Sequence, residues 1–341
     1  MSILFDSEPD THELQPPFPW FGGKSRAAPL VWSALGNVAN YVEPFAGSLA
    51  VLLARPSSHF QTPRIETVND KDHYLSNFWR AVSFAPDEVA HWADWPINED
   101  DLYSRHLWLV NEGGPRLTEG IETDPEYFDA KIAGWWVWGL CAWIGAGWCE
   151  AGHTGREKPH TGRGRGVHRK RPHLANAGRG IHRQSTIPSL EANELESADD
   201  LQAYMRALSE RLRHVRVCTG DWQRVVTDGA LAQGSTVGIF LDPPYNPKAG
   251  LDRVYNNHSD DVSSAVREWA IAHGEDPRRR IVLAGYEGEH EMPESWTMLT
   301  WKASTSYQTA SGNGRNKENR HRERLWLSPA CNRPLDLFSQ E

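Results

Sequence analysis

At 341 residues the chain is too long for one minimal module, and its 39% hydrophobic content is enough to fill a core. A formal net charge of −9 excludes a protein that coats nucleic acid with its whole surface, so any such contact must be gathered in a patch. Four cysteines without paired spacing, and an N-terminus without a basic start and apolar stretch, exclude a disulfide scaffold and a signal peptide and predict a reducing, cytoplasmic setting.

Residues 1–16 read as a polar tail. Beyond them β-rich runs alternate with helical stretches, which predicts an α/β fold built on a doubly wound, mostly parallel sheet. The first two strands are Tyr41–Phe45 and Ile65–Asn69. About a hundred residues more than a single crossover needs then precede the third strand, the mark of an inserted domain. Within it, Ile132 to Cys149 is uncharged and long enough to raise the question of a membrane span. Five of its residues are tryptophan (Trp135, Trp136, Trp138, Trp143, Trp148) and four are glycine. Tryptophan favours a membrane interface over its centre, so the run reads as a buried helical segment.

Between His153 and Arg183 stand nine Lys/Arg against one acid, a local charge of +8, which leaves −17 on the rest of the chain. Arg163, Arg165, Arg169, Lys170, Arg171 and Arg179 are therefore the candidate DNA contacts. Glycine alternating with arginine across 162–166 suits a flexible strip that neutralises phosphates, and a solvated loop is the plain alternative. Cys141, Cys149, His153 and His160 match no common zinc spacing, and no metal is assigned.

A helix comes next, with Asp199 and Asp200 near its start and Leu201, Tyr204, Met205, Leu208 and Leu212 on one face. The remaining strands are Val215–Cys218, Val237–Leu241, Arg280–Gly285, Trp296–Trp301 and Arg324–Leu327. Arg315, Lys317, Arg320, Arg322 and Arg324, just before and within the last strand, form a second basic cluster able to clamp a nucleic-acid strand, with a plain loop as the equal alternative.

Ligands of an open parallel sheet bind at the carboxyl edge of its strands, so the residues just past each strand matter most. Gly47 lies past the first, Asp70 past the second, Asp221 past the third, and Asp242 opens Asp242-Pro243-Pro244-Tyr245 after the fourth. Gly47 permits positive φ or a close approach of backbone to ligand. Asp70 lies 23 residues further on, near the ~20-residue offset at which an acid accepts hydrogen bonds from ribose hydroxyls. The first loop lacks the GxGxxG spacing for a pyrophosphate, so a nucleoside without one fits both residues. Taken singly, they are also a turn glycine and an ordinary surface aspartate. At the fourth strand the prolines fix the backbone so that a carbonyl can face a pocket. The Asp242 carboxylate and Pro243 carbonyl can bind both N–H groups of an exocyclic amine such as that of adenine, a poor nucleophile, and Tyr245 can stack on a base swung out of a duplex.

In motif order the chain resembles the Dam-type (alpha-group) DNA adenine-N6 methyltransferases. Trp20-Phe21-Gly22-Gly23-Lys24 resembles the family's N-terminal cofactor motif, which makes Trp20 and Lys24 implied cofactor contacts. Tyr41 to Val51, holding Glu43, Phe45 and Gly47, resembles its EPF-x-G motif, and Asn69-Asp70 its ribose-binding position. Asp221 falls where the family contacts the cofactor's adenosine part, and Asp242 to Tyr245 resembles the catalytic tetrapeptide. The resemblance implies a class I S-adenosylmethionine-dependent methyltransferase (Rossmann-like) sheet over 17–97 and 196–330. Residues 98–195 become an inserted target-recognition domain, and 331–341 a second tail. It implies S-adenosylmethionine as cofactor and double-stranded DNA as partner, with no membrane, and names neither a restriction endonuclease partner nor an oligomeric state. A cytosine-N4 enzyme, an RNA-directed one and an inactive DNA-binding regulator stand as alternatives.

Overall fold

Strands covered on both faces read as unbroken apolar runs, and Val237–Leu241 is one: all five of its residues are buried in the middle of a seven-stranded sheet. The computed structural model describes residues 14–20, 23–61, 64–124, 126–143, 147–149, 198–244, 260–300 and 323–333. Its elements begin with α1 (Ala28–Leu35), β1 (Asn40–Glu43), α2 (Ala50–Leu53), β2 (Ile65–Asp70), α3 (His73–Phe84) and α4 (Pro86–Ala93). Next come α5 (Glu99–Trp108), α6 (Gly114–Thr123), α7 (Ala130–Ala142), α8 (Ala198–Leu212), β3 (Val215–Thr219) and α9 (Asp228–Leu231). The last are β4 (Val237–Leu241), α10 (Asp260–His273), β5 (Arg279–Tyr286), β6 (Thr297–Thr300) and β7 (Glu323–Leu327).

The strand order is β3-β2-β1-β4-β5-β7-β6. Strands β1 to β5 run parallel, and β7 lies antiparallel between β5 and β6. Each strand expected from the sequence is present with its ends displaced by no more than two residues. Pro44, which has no N–H to donate, accounts for the early end of β1 at Glu43. Trp296 belongs to the turn before β6, where it is buried, and Trp301 lies outside the described residues.

Side chains alternate between the two faces of the sheet. Tyr41, Phe240, Val282, Leu325 and Leu327 join the core under α1, α3, α4, α7 and α8, whereas Val42, Ile239, Leu241, Ile281, Leu283 and Trp326 pack with Trp222, Val266, Ala270 and Trp296. All five apolar residues expected on one face of α8 are buried.

The Trp-rich run is a buried helix as far as Ala142. Trp136 and Trp138 are buried within α7, and the chain then returns so that Trp148 Nε1 donates to the Trp136 carbonyl at 3.0 Å. A Cβ at Gly139 would fall 1.8 Å from the Trp148 ring, so that return demands the glycine. Helix α7 packs on α3 and α4, and the buried Arg105 guanidinium sits 4.4–4.8 Å from the rings of Trp95, Trp135 and Trp138. Among the described residues no helix is long and apolar enough to cross a membrane. At the outer boundary of the core, Tyr204 Oη donates to the carbonyl of Gln15, and Pro16 and Cys331 are buried.

Candidate active site

The order of the sheet reverses between β1 and β4, and the crevice at their carboxyl ends is where an open α/β sheet takes ligands. The sequence places Glu43, Gly47, Asp70, Asp221 and Asp242 at strand ends. The structure ties the ends of β1, β2 and β3 together by hydrogen bonds, and Asp242 at the end of β4 is held by Lys24.

Asn69, next to last in β2, does most of the tying. Its Nδ2 donates to the Pro44 carbonyl at 3.1 Å and to the Gly220 carbonyl at 3.0 Å, joining the loops after β1 and β3. Its own carbonyl accepts from Ala46 N, and that of Asp70 accepts from Gly220 N. Asp70 Oδ2 accepts from Gly47 N at 3.1 Å and Oδ1 from Asp72 N at 3.0 Å. Burial pushes the Asp70 carboxyl up to about 6, with the Asp72 charge adding to the rise and the backbone N–H donors opposing it. Each carboxylate oxygen can accept a further hydrogen bond, the capacity a pair of ribose hydroxyls requires.

Gly47 has φ +50°, and a Cβ there would lie 2.6 Å from the Trp20 ring. Trp20 is wedged between this glycine and Phe18 and Trp136, with ring centroids at 5.8 and 6.3 Å, and Trp79 Nε1 donates to the Gly47 carbonyl. The N-terminal motif thus rests on the first loop. Leu49, two residues on, holds φ +59° although it carries a side chain.

Lys24, shortly ahead of α1, is buried and places Nζ 3.0 Å from Asp242 Oδ2 and 4.0 Å from Glu323 Oε2. Burial disfavours its charge, but the carboxylates of Asp242, Glu323 and Glu289 outweigh that and raise its pKa. The residue implied as a cofactor contact therefore grips the proposed catalytic aspartate. Pro243 is buried and Pro244 half-buried, while Tyr245 lies outside the described residues. Glu43 is buried at the end of β1 and accepts a hydrogen bond from Tyr41 Oη at 2.9 Å. Burial, helped by the nearby Asp242 and Asp70, pushes its carboxyl up to about 8. A carboxyl pushed up that far favours its neutral form at neutral pH, whereas that of Asp70, at about 6, favours its charged form.

Phe45 and Asp221 each have a partner within the loops that carry them. Phe45 packs toward Trp222, ring centroids 6.1 Å apart, and so braces the loops after β1 and β3 against each other. Asp221 is exposed, and its Oδ1 caps the short turn just beyond it by accepting from Gln223 N at 2.9 Å. The DNA candidates Arg163, Arg165, Arg169, Lys170, Arg171 and Arg179 lie outside the described residues, as do His153 and His160. So do Arg315, Lys317, Arg320 and Arg322 of the second basic cluster. Its last member, Arg324, is buried, with Nη2 2.6 Å from Glu287 Oε2 and Nη1 donating to the Glu323 carbonyl. That corrects its reading as a strand clamp: it fastens β7 to the turn after β5.

Glu323 has no signal of its own in the sequence. It opens β7 opposite Tyr286 of β5, and only the antiparallel insertion of β7 brings it to Lys24. No protein-family model matches the chain, and no curated protein matches it.

Proposed function

We propose that the chain is a site-specific DNA methyltransferase that moves a methyl group from S-adenosylmethionine to N6 of adenine. The observation that carries this reading is the position of Asp242, at the end of β4 beside the reversal of strand order, gripped by buried Lys24. Five parallel strands together with an antiparallel β7 and then β6 are in keeping with the class I methyltransferase sheet that the motif resemblance implies.

S-adenosylmethionine supplies an activated methyl group on a sulfonium. Its nucleoside part suits the residues present: Asp70 has acceptor capacity for ribose hydroxyls, Trp20 lies over Gly47, and the first loop lacks the glycine spacing for a pyrophosphate. For the target base, the Asp242 carboxylate and Pro243 carbonyl accept the two N–H groups of the amine and favour its tetrahedral form, which exposes the lone pair. The nitrogen becomes strongly acidic as it gains the methyl group. Its proton then leaves through Asp242 or water, and no separate base is needed. Tyr245 provides a stacking face for a base turned out of the duplex. Duplex DNA would be gathered by the +8 segment between residues 153 and 183, with base selection assigned to the inserted region 98–195.

The experiment is direct. DNA from cells expressing the chain is sequenced for modified bases, and Asp242→Ala is compared by methylation assay and calorimetry. N6-methyladenine in one sequence context, lost in Asp242→Ala while cofactor affinity persists, supports the reading. Substantial activity in Asp242→Ala, or methylation on cytosine, overturns it.

A further inference from the structure

A single anion would neutralise Lys24, yet two carboxylates reach it. Asp242 Oδ2 is at 3.0 Å and Glu323 Oε2 at 4.0 Å. Glu323 is buried, and its Oε2 has no hydrogen-bond partner. A carboxylate in that state is costly unless a cation faces it. The neighbouring cation is not that partner, because Arg324 is turned to Glu287 and to the Glu323 carbonyl. Lys24 is thus the cation that compensates Glu323 while it also holds Asp242. The other charges bearing on Lys24 come from the turn after β5, where Glu289 accepts from Tyr286 N and Ser263 Oγ. Glu43, at the end of β1, faces Asp242.

We infer that Glu323 is a positioning residue for methyl transfer: it shares Lys24 with Asp242, so that the ammonium orients the aspartate without cancelling its negative charge. The inference rests on the amino-methyltransferase reading above. Without Glu323 more of the Lys24 charge falls on Asp242. The carboxylate is then a weaker acceptor for the target amine, although every group that touches the cofactor stays in place. Burial and the like charge of Asp242 raise the Glu323 pKa, and Lys24 is the group that opposes them and favours the carboxylate.

The test replaces the charge and keeps the shape. Glu323→Gln, Glu323→Asp and the parent are compared by 13C NMR titration of the Asp242 carboxyl and by kcat and KM across pH. Glu323→Gln is expected to lower the Asp242 midpoint, and the acid limb of kcat with it, by about one pH unit. It is also expected to reduce kcat about tenfold with the cofactor KM unchanged. Glu323→Asp should restore the midpoint. An Asp242 midpoint in Glu323→Gln equal to the parent's overturns the inference, whether or not the chain methylates DNA. A shifted midpoint in a protein whose parent transfers no methyl group leaves the charge sharing standing and overturns the functional reading instead. Because the titration needs only the folded protein, a thermal melt on each variant separates misfolding from either outcome.

Discussion

Gly47 and Trp20 share one seat: the indole occupies the space that any side chain on residue 47 would need, at 2.6 Å from the Cβ position. Gly47→Ala must therefore move the ring and also place an alanine at φ +50°. The backbone conformation alone costs about 1–2 kcal/mol. A lower melting temperature together with weaker S-adenosylmethionine binding by calorimetry is expected. Equal binding in Gly47→Ala would mean that Trp20 does not help seat the cofactor.

Asn69 holds two loops with one amide, so Asn69→Ala should loosen both. The carbonyls of Pro44 and Gly220 lose their donor, at about 1–3 kcal/mol for each that stays buried and unpaired. Melting temperature and cofactor affinity should fall together. A variant that loses stability but binds cofactor like the parent would make Asn69 a brace for the fold alone.

Glu43 gives the chain a pH-dependent stability of definite sign. Its carboxyl ordinarily titrates at 4.5 and is pushed up to about 8 by burial. The folded state thus holds a proton that the unfolded state releases, and its contribution is complete below 4.5 and is lost as pH rises through 8. Glu43→Gln keeps a group that can accept from Tyr41 and cannot ionise. Relative to this variant, the parent should lose melting temperature steadily between about pH 5 and pH 9. Parallel curves for the two proteins would show that Glu43 titrates normally.

If the strip of 153–183 neutralises phosphates, changing Arg163, Arg165, Arg169 and Arg171 to Gln should weaken all duplexes alike. The salt dependence should flatten by about 0.9 log unit per log salt for each phosphate no longer neutralised, read by fluorescence anisotropy. A weakened affinity for one sequence only would mean that some of these arginines read base edges.

The fourth strand was legible because it is a short apolar run closed by Asp242, and the second because Ile65 and Val68 lead up to Asp70. The buried face of α8 was legible from its Leu201, Tyr204, Met205, Leu208 and Leu212 spacing. Three features were not. Asn69 carries a motif position beside Asp70, but its bridging of two loops is hidden until the neighbours of β2 are known to be β1 and β3. Asp221 carries the motif position, yet its side chain closes its own turn. Glu323 stands in no motif, and its role depends on where β7 inserts, which no local pattern encodes.

That insertion also fixes which stretch of chain completes the centre. Lys24 and Asp242 are translated long before residues 323–327, and β6 finds a neighbour in the sheet only when β7 slides in beside β5. A nascent chain halted before Glu323 carries the cation and one carboxylate but lacks the other, and the outer edge of β5 is bare. The three charged groups therefore stand together only in a chain that reaches residue 323, and one that stops short keeps Lys24 and Asp242 without the second carboxylate.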